Sequence, residues 1–272
     1  MPLKLMYITN SEDVAHIAEE AGVDRIFVDM EYIGKTDRQG GMDTVQSRHT
    51  ADDVRRLAQC LNKAELFVRV NPIHEKTDEY NSSKEEIDEA IEAGADLLML
   101  PYFKTAEEVQ TFVKYVNGRA KTVLLVETPE AAAIAEDLVQ IPGIDEMFIG
   151  LNDLSLGYGK NFMFELLLDG TVEELCLKFR KGGIPYGFGG IASLGKGMLP
   201  SEYVIKEHYR LGSACAILSR SFCRTGQVTD LKEIQKIFEI ELPKIRELEE
   251  ECRVHSEYFW KNRQRKTEYR YG

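Results

Sequence analysis

The amino-acid sequence predicts an α/β protein of the (β/α)8 barrel class with an extended C-terminal helical tail. Three observations predict it. Short apolar runs alternate with longer stretches of helical periodicity. Several runs, such as LLML, VLLV and MFIG, are apolar without alternation, as strands of a parallel sheet buried on both faces are. Eight such strand–helix units within about 225 residues suit a closed barrel better than an open sheet.

The candidate strands, in order, are Leu3–Thr9, Arg25–Glu31, Glu65–Asn71, Asp96–Tyr102, Thr122–Thr128, Glu146–Asn152, Ile184–Ile191 and Ala214–Ser219. The stretches between them carry helix start and stop signals. EDVAHIAEEAG follows Ser11 and ends at Gly22, a glycine suited to the left-handed residue after a helix. Thr50 and Asp53 have capping-box spacing ahead of DDVRRLAQCL. SSKEEIDEAIEAG and TAEEVQTFVKYVNG repeat that plan, and Pro129 in TPEAAAIAEDLVQIPG stands at a helix entry. No Pro/Gly/Ser-rich linker divides the chain. We therefore expect one domain, with the barrel over residues 1–229 and a helical extension over 230–272. In that extension Ile234, Ile237, Phe238 and Leu242 form one apolar stripe, and Pro243 is expected to kink or break the helix. The tail either closes the barrel bottom or reaches a neighbouring subunit in a homo-oligomer.

Composition narrows the function. A net charge of -12 argues against a nucleic-acid partner, which needs a basic footprint. The five cysteines, Cys60, Cys176, Cys215, Cys223 and Cys252, are odd in number and lack CxxC spacing, which favours free thiols in a reducing compartment. MPLKLMYITN lacks the pattern of a signal peptide, and no apolar run approaches the ~18 residues of a membrane helix. The expectation is a soluble cytoplasmic protein without a membrane partner.

In a barrel of this class the chemistry sits at the C-terminal ends of the strands. Asp29, Glu31 and Tyr32 end strand two, Arg69 and Asn71 end strand three, Glu127 ends strand five, and Asn152 and Asp153 end strand six. Glu127 and Asp153 stand at the mouths of adjacent strands. Unpaired, two such carboxylates repel, and a divalent cation resolves the conflict. Hard oxygen donors suit Mg2+, or Mn2+ in a permissive site. The competing reading has Glu127 capping the following helix and Asp153 capping the turn LSLG. Arg69, in the otherwise apolar FVRVNP, either pairs with a structural carboxylate or faces an anionic ligand.

FVDMEY, FVRVNP, LLMLP, LLVETPEA and MFIGLNDLSLGYG, in that order, resemble the strand-end motifs of the HpcH/HpaI aldolase and citrate lyase β-subunit family, from about residue 20 to residue 192. The resemblance implies metal-dependent carbon–carbon lyase or aldolase chemistry on a pyruvate- or oxaloacetate-like 2-oxo acid or an acyl-CoA, through a metal-stabilised enolate. By matching motif, Glu127 and Asp153 become the metal ligands. Arg69 becomes the partner of the 2-oxo oxygen, and Glu31 a residue that positions water on the metal. Arg48 resembles a substrate-binding arginine of the citrate-lyase-like members. Asn152 and Gly190, the latter in GFGGIAS, complete the expected substrate-binding set with Arg69 and Arg48.

This chain departs from the family where a histidine is expected after the strand-two glutamate, for Tyr32 stands there. A tyrosine with a reference pKa near ~10 is a poor base at neutral pH. His49 is the alternative acid–base residue. Two other functions stay open at this stage. One is a phosphoenolpyruvate-type transferase or mutase on a related barrel, with Lys35, Arg48 and glycines 34, 40 and 41 around a phosphate. The other is a non-catalytic metabolite-binding protein.

Overall fold

The computed structural model describes residues 1–34, 49–223, 225 and 228–254. Eight parallel strands close into a barrel in chain order: β1 Lys4–Ile8, β2 Arg25–Asp29, β3 Glu65–Arg69, β4 Leu97–Leu100, β5 Lys121–Val126, β6 Glu146–Ile149, β7 Tyr186–Ile191 and β8 Cys215–Leu218. Each falls on one of the expected segments, β5 starting one residue earlier than expected. β7 starts two residues later than expected, after Pro185, whose carbonyl accepts from the Met147 amide while its own nitrogen has no proton to give.

The helices form the outer ring. They are α1 Glu12–Glu20, α2 Ala51–Cys60, α3 Ser83–Glu92, α4 Ala106–Val116, α5 Pro129–Ala133, α6 Ala135–Leu138, α7 Leu151–Gly157, α8 Thr171–Lys181, α9 Ser201–Leu211 and α10 Leu231–Val254. The Ser11 side chain caps α1, and Thr50 with Asp53 makes the expected capping box on α2. Ser82 with Glu85, and Thr105 with Glu108, do the same for α3 and α4. Each side-chain cap contributes about 1 kcal/mol. Gly94, which follows α3, has φ +111°, and a β-carbon there would lie 2.6 Å from that of Ala58. Both facts require glycine.

Strand alternation sorts the side chains. Residues such as Leu98, Val68 and Ile149 point outward into the layer between sheet and helices. Met6, Phe27, Phe67, Met99, Val123, Leu125 and Phe148 fill the barrel interior, with Phe27 stacked on Phe67 at 4.7 Å. Beneath them Arg25 is wholly buried. Its Nε donates to Glu65 at 2.9 Å and its terminal nitrogens clasp the Glu146 carboxylate. Lys121 also reaches Glu65. These cations hold the Glu65 carboxyl down to about 2 against the opposing effect of its own burial.

Of the two outcomes expected at Pro243, the break is absent, since α10 runs unbroken from Leu231 to Val254. Leu242 and Ile245, on either side of the proline, are buried, so packing outweighs the lost backbone hydrogen bond. The helix lies on α1 and α9. Glu249 accepts from the Leu3 amide at 2.7 Å, and Arg246 donates to the Leu3 carbonyl at 2.8 Å and reaches Asp24 at 3.1 Å. The helix thereby sits in the outer ring, tied to the start of β1. All five cysteines are free thiols, and among the described residues no helix is long and apolar enough to cross a membrane.

Candidate active site

The barrel mouth is built around Arg69. The β2–β3 register sets Asp29 opposite Arg69. Arg69 donates from Nε to Oδ1 and from its terminal NH2 to Oδ2 of Asp29, both at 2.8 Å. Glu31 approaches Nε at 3.4 Å. Asp29 and Glu31 are buried, and Arg69 keeps 15% of its side chain exposed. Its guanidinium carbon lies 5.7 Å from the centre of the Phe27 ring beneath it. Burial works against the guanidinium charge, but Asp29 and Glu31, with a further contribution from Glu127, outweigh it and push its pKa up. Of the two sequence readings of Arg69, pairing with a carboxylate is present. The influence of Glu127 sets that residue at the same mouth.

Glu127 follows β5 directly and is buried. It does not cap the next helix. Thr128 does, accepting from the Ala131 amide at 3.1 Å. Glu127 instead accepts from the amide of Tyr102 at 3.0 Å, a residue in the left-handed region with φ +48°. Its other oxygen lies where Gly150 leaves room. A β-carbon on Gly150 would sit 2.9 Å from Glu127 Oε2 and 2.8 Å from its Cβ. Val126 and Ile149 are aligned in the ladder, so Glu127 and Gly150 emerge side by side, and Asp153 follows in the first turn of α7. Asn152 donates to Asp153 Oδ1 at 3.4 Å.

The donor set suits a hard divalent cation. One carboxylate is buried and aimed by an amide, and a second, partly exposed, comes from the adjacent strand. Mg2+ takes one or two protein carboxylates and fills its remaining positions from water and substrate. A cluster of three possible ligand residues among the described residues, His16, Glu19 and Glu20, is on α1. There Glu19 anchors the loop before β3, accepting from the amides of Asn62, Lys63 and Ala64.

The remaining predicted residues divide. His49 is at the mouth: its Nδ1 accepts from the Asp29 amide at 3.0 Å. The ring is therefore neutral there, with its proton on Nε2. Tyr32 is half exposed and rests against the Tyr80 ring at 5.5 Å. Burial, together with Glu86 and Tyr80, raises its pKa, which makes it a still poorer base. Gly190 lies in β7 opposite Ile217, where a β-carbon would come within 3.1 Å of the Ser219 Cβ. Arg48, Lys35, Gly40 and Gly41 lie outside the described residues.

Sequence reasoning gave no role to Asp29, Asn71 or Gly150. Asp29 was open to detection, because strand alternation puts it on the same face as Phe27 and the β2–β3 pairing then sets it against Arg69. Gly150 needed the side-chain position of Glu127.

The sequence matches the HpcH/HpaI aldolase/citrate lyase family model over residues 4–166, more than half of the chain. This chain belongs to that family. Among curated protein sequences, none matches this chain. Solved structures agree in fold. A HpcH/HpaI aldolase/citrate lyase family protein from Burkholderia cenocepacia superposes with a TM-score of 0.64 at 16% identity, over 86% of this chain and 95% of that one. A HpcH/HpaI aldolase from Desulfitobacterium hafniense gives 0.61 at 15% identity, over 86% and 93%. The citrate synthase SbnG gives 0.59 at 15% identity, over 86% and 94%. Membership in the HpcH/HpaI family supports carbon–carbon lyase chemistry of the aldolase and citrate lyase type.

Proposed function

We propose that this member of the HpcH/HpaI family is a Mg2+- or Mn2+-dependent carbon–carbon lyase. It makes or breaks the bond next to the oxo group of a pyruvate- or oxaloacetate-like 2-oxo acid, free or as part of a larger acyl compound. The charge at the mouth is the observation that carries this reading. Among the described residues, Asp29 and Glu31 pair with the Arg69 guanidinium, Glu127 acts on it at the same mouth, and Asp153 follows the adjacent strand. An anionic 2-oxo acid entering such a site meets net repulsion unless a dication is bound with it.

Glu127 and Asp153 would hold that cation, which supplies Lewis acidity to the carboxylate and carbonyl oxygens of the substrate. Every other contribution comes from the chain. Asp29 and Glu31 keep Arg69 charged and fix its plane before substrate arrives. A pre-oriented guanidinium stabilises the oxyanion of an enolate as charge develops, with no reorganisation at that moment. Phe27 closes the floor beneath and keeps the local dielectric low. His49 begins as a donor through Nε2 and accepts a proton only once its contact with the Asp29 amide opens. Asn152 orients Asp153, and Gly190 leaves the β7 side of the mouth open to substrate.

The test is cleavage of oxaloacetate and of 4-hydroxy-2-oxo acids with Mg2+, with EDTA, and with Glu127→Gln and Asp153→Asn. Each substitution and the chelator should lower turnover by about 10²-fold or more. Turnover indifferent to EDTA rejects the reading.

A further inference from the structure

Asp29 Oδ1 accepts from the Glu31 amide at 3.3 Å, and the backbone on both sides of Glu31 is fixed by one further side chain. Asn71, 1% exposed at the end of β3, accepts at Oδ1 from the amides of Tyr32 and Ile33, both at 2.9 Å. Its Nδ2 donates to the Met30 carbonyl at 3.3 Å. The residues before and after Glu31 are thus held by the same side chain, and the Met30 amide adds a bond to the Arg69 carbonyl at 3.0 Å.

An asparagine amide can be turned end for end at little cost, and only one orientation performs this task. Glu86, on α3, selects it. Its Oε1 accepts from Asn71 Nδ2 at 2.7 Å, and both its oxygens lie within 3.3 Å of the Asn71 amide nitrogen. A carboxylate only accepts. It therefore keeps Nδ2 toward α3 and Oδ1 toward the turn after β2. The order of control runs from Glu86 to Asn71 to the 30–33 backbone, and from there to Glu31 beside Arg69.

We infer that Asn71, oriented by Glu86, is a positioning residue that fixes Glu31 and through it the guanidinium of Arg69 for catalysis. The inference rests on the carbon–carbon lyase reading of this mouth. Asn71 is buried and Glu86 acts through it, so removing either should slow the chemical step and leave substrate capture little changed.

The deciding experiment is a polarity exchange. Asn71→Ala removes the acceptor for both amides, and Asn71→Asp sets a second carboxylate against Glu86. Adding Glu86→Gln to Asn71→Asp restores the link between the two side chains in reverse, while the Met30 carbonyl loses its donor. The new carboxamide nitrogen donates to one oxygen of the new carboxylate, whose other oxygen accepts from Tyr32 and Ile33. Two readouts are taken on the Mg2+-loaded protein: kcat and KM for 2-oxo-acid cleavage, and amide hydrogen exchange at Tyr32 and Ile33. Asn71→Ala should lower kcat by about 10–100-fold with KM within about threefold, and abolish protection of the two amides. The double variant should return both readouts to within about threefold of the parent.

The inference is overturned if Asn71→Ala loses amide protection but keeps kcat within twofold. It is equally overturned if the double variant melts like the parent yet regains neither readout. A parent protein with no turnover on any 2-oxo acid defeats the lyase reading instead. Amide protection, which needs no substrate, then decides the Asn71–Glu86 pin: its return in the double variant supports the pin, and its continued absence overturns it.

Discussion

At the scale of the residue, Gly150 has the sharpest role. Its missing β-carbon is the space into which the Glu127 carboxylate fits. Gly150→Ala should displace Glu127, weaken Mg2+ binding measured by calorimetry by about tenfold or more, and cost about 1–3 kcal/mol of stability from overpacking. Unchanged Mg2+ affinity in a folded Gly150→Ala protein would show that Glu127 does not need this position. Glu127, Asp153 and Arg69 could be read from the sequence because each is a charged residue directly beyond or at the end of an apolar strand run. Asp29 and Asn71 were visible as strand-end residues but their work was not. What they do depends on interstrand register and on which face of each strand meets its neighbour. Register is a property of two segments together, and a single segment does not contain it. His49 illustrates the same limit. Its place before the α2 cap was legible, while its contact with the Asp29 amide joins residues 20 positions apart in the chain.

At the scale of the element, the helices follow their local signals, because caps and terminal glycines act over three or four residues. Two helices also carry a measurable cost. Pro243 lies inside α10, exposed, between buried Leu242 and Ile245. Pro243→Ala should restore a backbone hydrogen bond and raise stability by about 1–3 kcal/mol, read as a higher melting temperature. On α9, His208 is wholly buried, its ring flat against Phe188 at 3.8 Å and its Nδ1 2.8 Å from the Ser213 hydroxyl. Burial pushes its pKa down from 6.5 to about 3. The folded protein therefore refuses a proton that the unfolded chain accepts below about 6.5. The resulting stability is full above that pH and is lost progressively as pH falls from about 6.5 toward 3. His208→Phe should flatten the slope of stability against pH between 6.5 and 5 in urea melts. An unchanged slope would place the acid sensitivity elsewhere.

At the scale of the whole molecule, the barrel was legible because its signal is distributed over eight units, so a two-residue error in one strand does not alter the architecture. The ionic layer at its bottom was not legible. Arg25, Glu65 and Glu146 each begin a strand, where a charged residue ordinarily reads as the solvated end of the run. Closure of the sheet brings them together and buries the guanidinium completely. Arg25→Met should destabilise the protein by about 3–5 kcal/mol, since it leaves two acidic groups in the barrel without their main partner. Chemical denaturation measures this directly, and a loss below about 1 kcal/mol would show that water replaces the arginine readily. The same layer decides how small molecules travel. With its floor plugged by salt-linked side chains, the barrel is a blind cup and not a tube, and everything that reacts in it enters and departs through one rim. When a bond is cut inside such a cup, the fragment lodged nearer the base waits for the other to clear the way.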